Sequence, residues 1–156
     1  MSPEEKKDLH MKQAAEYIYY LEEAKEKIYD KEVRQNLEVL IRQFRDLRDL
    51  QYWFDSGERE LDRLYERYLP YLNTIMENYM KLETSWNFNE LPKVKAKLMK
   101  ILPQFTDTMR IIMEILPEDE MADARADAKA KQAKEELDRQ YRSFLVMEEE
   151  NGNQLY

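Results

Sequence analysis

The chain carries a single histidine, His10, and no cysteine, so the side chains that most often perform catalysis or ligate transition metals are nearly absent. Without thiols there is no disulfide, no cysteine nucleophile and no thiolate zinc site. One imidazole also excludes the paired Glu-x-x-His ligands of di-iron bundles and any multi-histidine zinc centre. On its own near the N-terminus, His10 reads as a solvated side chain. Ser2, Ser56, Ser85 and Ser143 are given no imidazole partner by any recognisable motif, and no glycine-rich strand-to-helix turn is present to cradle a phosphate. Neighbouring carboxylates such as Glu22 and Glu23 are numerous, but on a surface helix such pairs are ordinarily a solvated face. The expectation is a protein that is not an enzyme, with no catalytic, cofactor-binding or metal-binding residues.

Recognition is the chemistry that remains. Tyr65, Tyr68, Tyr71 and Tyr79 cluster around Pro70, mixing core spacing with positions that should face outward, and exposed tyrosine favours interfaces. The competing reading makes these rings the core and rim of a helical bundle. Lys93, Lys97 and Lys100 share a helical face, with Lys95 nearby, and offer a contact for an acidic partner or an anionic lipid surface; a solvated face is the alternative. Tyr17, Ile18, Tyr19 and Tyr20 make the first helix apolar on more than one side, which leaves a homo-oligomer open.

The elements that must position these groups are helices. Only Gly57 and Gly152 occur in 156 residues, too few for the hairpins of a sheet protein. Ser2 and Glu5 have capping-box spacing, and Pro3 suits a first helical position, so a helix is expected over about 3–29. Asp30 can cap a second, with Val33, Leu37, Leu40, Phe44 and Leu47 in heptad-like steps to Phe54. A third places Leu61, Leu64, Tyr68, Leu72, Ile75, Tyr79 and Leu82 on one face and should kink at Pro70. Asn87-Phe88-Asn89 breaks the pattern; Asn89 can cap a fourth helix, bent at Pro103 and stopped by Pro117, whose stripe includes Val94, Leu98, Ile101, Phe105, Ile112 and Ile115. The fold class expected is therefore all-α, an elongated up-and-down bundle of four to five helices. Its parts are a four-helix core over 1–117, a charged Ala-rich helix over 118–147 that is either docked or projecting, and a disordered tail over 148–156. In the fifth helix, Asp127 with Lys131, Glu135 with Arg139 and Asp138 with Arg142 have the spacing of supporting ion pairs.

Charge and hydropathy narrow the setting. The net charge is -8, with -3 over residues 1–117 and -5 over 118–156. A nucleic-acid surface needs a basic surplus, so no nucleic acid is expected as partner. No stretch has the roughly 18 apolar residues of a spanning helix and the N-terminus lacks a signal-like apolar run, so the expected location is cytoplasmic.

Tyr65-Glu66-Arg67-Tyr68-Leu69-Pro70-Tyr71-Leu72, continuing through Thr74, Ile75, Tyr79 and Leu82-Glu83, resembles the Tyr-Leu-Pro signature of the bacterial XpaC-like family, also called the 5-bromo-4-chloroindolyl phosphate hydrolysis family. Ile28-Tyr29-Asp30-Lys31-Glu32-Val33-Arg34-Gln35-Asn36-Leu37 resembles the segment leading to it, and the likeness extends over about residues 15–120. The resemblance implies an α-helical protein associated with toxic-anion-resistance, or TelA-like, proteins and a phosphate-ester hydrolysis phenotype. Two departures stand out: many members carry an N-terminal membrane segment not seen here, and the C-terminal segment is longer and more charged. Phosphate-ester hydrolysis needs an activated nucleophile or a metal pair with an electrostatic clamp, and no such set is recognisable. The functional expectation is accordingly a non-catalytic helical interaction module of bacterial stress or envelope physiology with a protein partner. The alternatives are a phosphatase or phosphatase-associated protein, and a peripheral membrane-surface protein using the lysine face.

Overall fold

A computed structural model describes the backbone of residues 1–85, 88–120 and 124–155, and the side chains of 1–85, 88–117 and 131–146. No strand occurs among the described residues. Helix α1 spans Pro3–Lys27, α2 Lys31–Trp53, α3 Glu58–Arg63, α4 Leu69–Glu83, α5 Leu91–Glu120 and α6 Ala124–Leu155, and a π-turn, Leu64–Tyr68, joins α3 to α4.

Local chemistry accounts for the boundaries. Ser2 Oγ accepts the Glu5 N–H at 3.1 Å while Glu5 accepts the Ser2 N–H at 3.4 Å, closing the expected capping box. Asp30 caps α2 by accepting the Val33 N–H at 3.0 Å. Gly57 precedes α3 with a left-handed φ of 75°, and a side chain there would run into Leu116. Here glycine is required both by the backbone angle and by the closeness of α5. At the start of α5 the Val94 N–H donates to the Glu90 carbonyl at 3.1 Å, so Glu90, not Asn89, occupies the boundary.

The apolar stripes pack as their spacing predicts. Ala14, Ile18, Leu21 and Ala24 of α1 face Val33, Leu37, Leu40, Ile41, Phe44 and Leu47 of α2, and α5 lies along α2 with Leu98, Ile101, Leu102, Phe105, Met109, Ile112 and Ile115 buried. Cross-helix contacts give the directions. Gln51 to His10 and Arg45 to Glu22 run α1 and α2 antiparallel; His10 to Asp62, Tyr20 to Glu77 and Tyr29 to Glu83 run α1 parallel to α3–α4. Lys95 to Asp30 and Ser56 to Leu116 run α5 parallel to α2. α6 returns antiparallel to α5, placing Gln140 beside Thr108 and Phe144 beside Phe105. The result is an up-and-down bundle of five passes, the third made of α3, the π-turn and α4.

Four expectations are corrected. Pro70 does not simply kink a helix; it sits in the first turn of α4, just past the π-turn. Within that turn the Leu69 N–H donates to the Leu64 carbonyl. The next donor to the Tyr65 carbonyl would be residue 70, and proline has no N–H. Tyr17 Oη donates to that carbonyl instead, at 3.1 Å. Pro117 does not stop α5, which continues to Glu120; a proline this close to the helix end forfeits a single backbone hydrogen bond. The segment expected as a disordered tail is helical through Leu155, in line with the good helix formers Glu148, Glu149 and Glu150. Asp138 pairs not with Arg142 but with Arg63 at 2.7 Å, a salt bridge that docks α6. The expected pair of Asp127 with Lys131 lies outside the described side chains.

Candidate functional site

The candidate tyrosines are brought together, but inward. Tyr65 is 1% exposed, Tyr68 4%, Tyr71 7% and Tyr79 1%, so the outward-facing reading is overturned and the core reading holds. The inward-facing face runs through the π-turn, where Leu64, Tyr65 and Tyr68 are buried together with Leu69 just beyond it. Pro70 is only half-buried. The lysine face is also spoken for in part. Lys93 pairs with Glu90 at 3.6 Å, Lys95 reaches Asp30 at 2.8 Å, Lys97 is half-buried with its own interactions, and Lys100 is exposed.

His10 is the largest departure from the sequence reading. It is 4% exposed, not solvated. Its Nε2 lies 2.7 Å from Asp62 Oδ1, and since a carboxylate only accepts, that nitrogen carries the proton. Asp62 Oδ2 holds Lys6 at 3.1 Å, and the His10 ring packs 5.8 Å from the Tyr65 ring. Tyr65 Oη donates to Gln51 Oε1 at 2.5 Å, and Gln51 Nε2 donates to the His10 carbonyl at 3.5 Å. Burial pushes the Tyr65 hydroxyl well above its ordinary range and keeps it protonated. The network ties α1, α2 and α3 together at one end of the bundle. The signal was present in the spacing: His10 continues the buried series Ala14, Ile18, Leu21, Ala24 by one four-residue step.

Over this network opens a cavity of about 150 Å³, with Lys6, Lys7, His10, Gln51, Phe54, Asp55, Ser56 and Leu61 in its wall. Ser56 donates its hydroxyl to the Leu116 carbonyl and Lys7 pairs with Asp55 at 2.5 Å, so these groups are engaged in joining helices. Among the described residues no group of three or more His, Asp or Glu side chains could hold a metal ion. Beside the cavity, at the end of α2, stand Tyr52 and Trp53, 61% and 73% exposed, their rings edge to face at 5.2 Å. Sequence reasoning passed over them. The α2 seam runs Leu47, Gln51, Phe54, and the two rings between fall off it; two large aromatics outside a regular seam are a legible mark of an outward-facing patch.

The opposite end is a polar clasp. Glu83 accepts the backbone N–H groups of Tyr29 and Asp30, each at 3.0 Å, and the Tyr79 hydroxyl at 2.8 Å. Burial opposes ionisation of Asp30, but the Lys95 ammonium and the α2 amide it caps outweigh that and hold its carboxyl below the usual range.

No helix among the described residues is long and apolar enough to cross a membrane. Comparison with known proteins gives no match to a family model, a curated protein or a solved structure.

Proposed function

We propose that the chain is a non-catalytic helical interaction module, acting in the cytoplasm and docking a protein partner at the end of the bundle where Tyr52 and Trp53 project. The observation that supports this reading is the exposed aromatic pair itself. Large, rigid rings held edge to face on a helix end lose little conformational entropy on contact and bury much area, which is why such residues dominate interface energetics. The His10, Asp62, Tyr65 and Gln51 network braces the backbone beneath them. The resemblance to the XpaC-like family nominates a TelA-like protein as the partner and bacterial stress or envelope physiology as the setting.

The test is capture of the TelA-like protein of the same genome by the tagged chain, compared with a Tyr52→Ser, Trp53→Ser variant. Both substitutions are at exposed positions, so the variant should melt within a few degrees of the parent while capture falls at least tenfold. A parent chain that captures nothing, or that hydrolyses aryl phosphates at an enzyme-like rate, defeats the proposal.

A further inference from the structure

We propose that the cavity over the His10 network is a binding site for a phenol, a single aromatic ring whose hydroxyl donates to His10 Nδ1. The site adjoins the Tyr52 and Trp53 patch but uses neither ring, and it stands whether or not a partner docks there.

One buried polar group in the wall has an atom to spare. Lys6 is held by Asp62 at 3.1 Å and Lys7 by Asp55 at 2.5 Å, the Ser56 hydroxyl donates to the Leu116 carbonyl, and Gln51 spans the Tyr65 hydroxyl and the His10 carbonyl. His10 differs from these. Its Nε2 is committed to Asp62 at 2.7 Å, whereas Nδ1 has no hydrogen-bond partner among the described residues, on a side chain that is 4% exposed. His10 lines the cavity and Asp62 does not, so the imidazole meets the cavity away from Nε2, along the edge that carries Nδ1. In the neutral ring the proton on Nε2 leaves Nδ1 a lone pair, an acceptor. A polar atom this deep is costly unless something satisfies it, so the position calls for a donor.

Size and lining select the donor. About 150 Å³ is the volume that holds one benzene ring in an apolar helical core. Phe54, Leu61 and Pro3 supply apolar wall, so the ring leaves water while its hydroxyl reaches Nδ1. Charged ligands fit less well. A carboxylate or phosphate brings no proton to Nδ1, and Lys6 and Lys7 are already matched by Asp62 and Asp55. An ammonium would be desolvated against apolar wall, where the remaining carboxylates, Glu4 and Glu58, are exposed. A neutral phenol meets neither penalty. The acceptor is also held in place beforehand: Lys6 fixes Asp62, Asp62 fixes the imidazole, and the Tyr65 ring backs it at 5.8 Å.

His10 is the chain's only histidine, so its two ring nitrogens give resonances that need no further assignment. p-Cresol is titrated into the isotope-labelled full chain at about pH 8 and both nitrogens are followed by magnetic resonance. Binding should saturate in the millimolar range and move the Nδ1 resonance in the direction of hydrogen-bond acceptance. Toluene, the same ring without the hydroxyl, should bind roughly threefold more weakly or worse and leave Nδ1 in place. His10→Phe should bring p-cresol down to the affinity of toluene; if that variant does not fold, the Nδ1 response of the unaltered chain decides alone. N-acetyltyrosine amide carries the same ring on a peptide backbone: its uptake supports the site with a tyrosyl side chain as the source, and its exclusion beside bound p-cresol supports the site with a free phenol. No saturation by roughly 10 mM p-cresol overturns the proposal. So does an Nδ1 resonance that bound p-cresol leaves unmoved, or that toluene moves as far, or that already carries a proton in the free chain.

Discussion

At the scale of single residues, the side chains that matter most are those whose surroundings leave no substitute. Gly57 combines a positive φ of 75° with the Leu116 side chain where a Cβ would lie. Gly57→Ala should therefore destabilise the fold by about 1–3 kcal/mol, the sum of left-handed strain and overpacking. Denaturant unfolding measures it, and a loss below about 0.5 kcal/mol would show that Leu116 moves aside freely. His10 teaches the corresponding lesson about reading sequence. A lone histidine among charged neighbours looks solvated because polarity is judged residue by residue, whereas its burial depends on Asp62 and Tyr65, more than 50 residues away. Tyr65, Tyr68, Tyr71 and Tyr79 were recognisable as a cluster from their spacing. Their inward direction was legible too, since at 3.6 residues per turn all four fall on the face shared by Leu61, Leu64 and Leu72.

Among the elements, the third pass is the one whose form departs from the pattern that predicted it. Its stripe from Leu61 to Tyr79 was legible, and so was the disturbance at Pro70; the device that absorbs the proline was not. Tyr17 supplies the donor that Pro70 lacks, at 3.1 Å from the Tyr65 carbonyl. Tyr17→Phe should then cost about 1–2 kcal/mol by leaving a buried carbonyl unpaired. In a Pro70→Ala background residue 70 regains an N–H able to reach the same carbonyl, so the cost of Tyr17→Phe should fall by about 1 kcal/mol. A double-mutant cycle by chemical denaturation measures this coupling. Additive effects would mean that Tyr17 and Pro70 are unrelated. The helix termini were legible wherever a side chain makes the cap, as at Ser2 and Asp30. They were missed at Pro117, where the helix runs three residues past a local breaker to Glu120.

For the molecule as a whole, tyrosine burial sets an alkaline limit. Burial raises the hydroxyl pKa of Tyr17, Tyr20, Tyr65, Tyr79 and Tyr141 above the ordinary 10.0. The folded chain keeps these protons after the unfolded chain has begun to release them. Their stabilisation is thus complete below pH 10 and is lost as pH rises from there toward the raised values. Each such group can take away up to about 1.4 kcal/mol per pH unit. Melting temperature should be nearly flat between pH 8 and 9.5, then drop steeply above 10, with tyrosinate absorbance and loss of helical ellipticity appearing together. Tyr65→Phe should shallow that drop, and buried tyrosines ionising near 10 with helicity intact would contradict the account.

The five alternating passes have one more result. An odd number of traverses leaves Pro3 and Leu155 at opposite poles, separated by the length of a helix, roughly 40 Å at 1.5 Å per residue. A short linker therefore cannot join the two termini for circular permutation. Copies fused tail to head should instead extend as a rod, each new unit starting where the previous one stops.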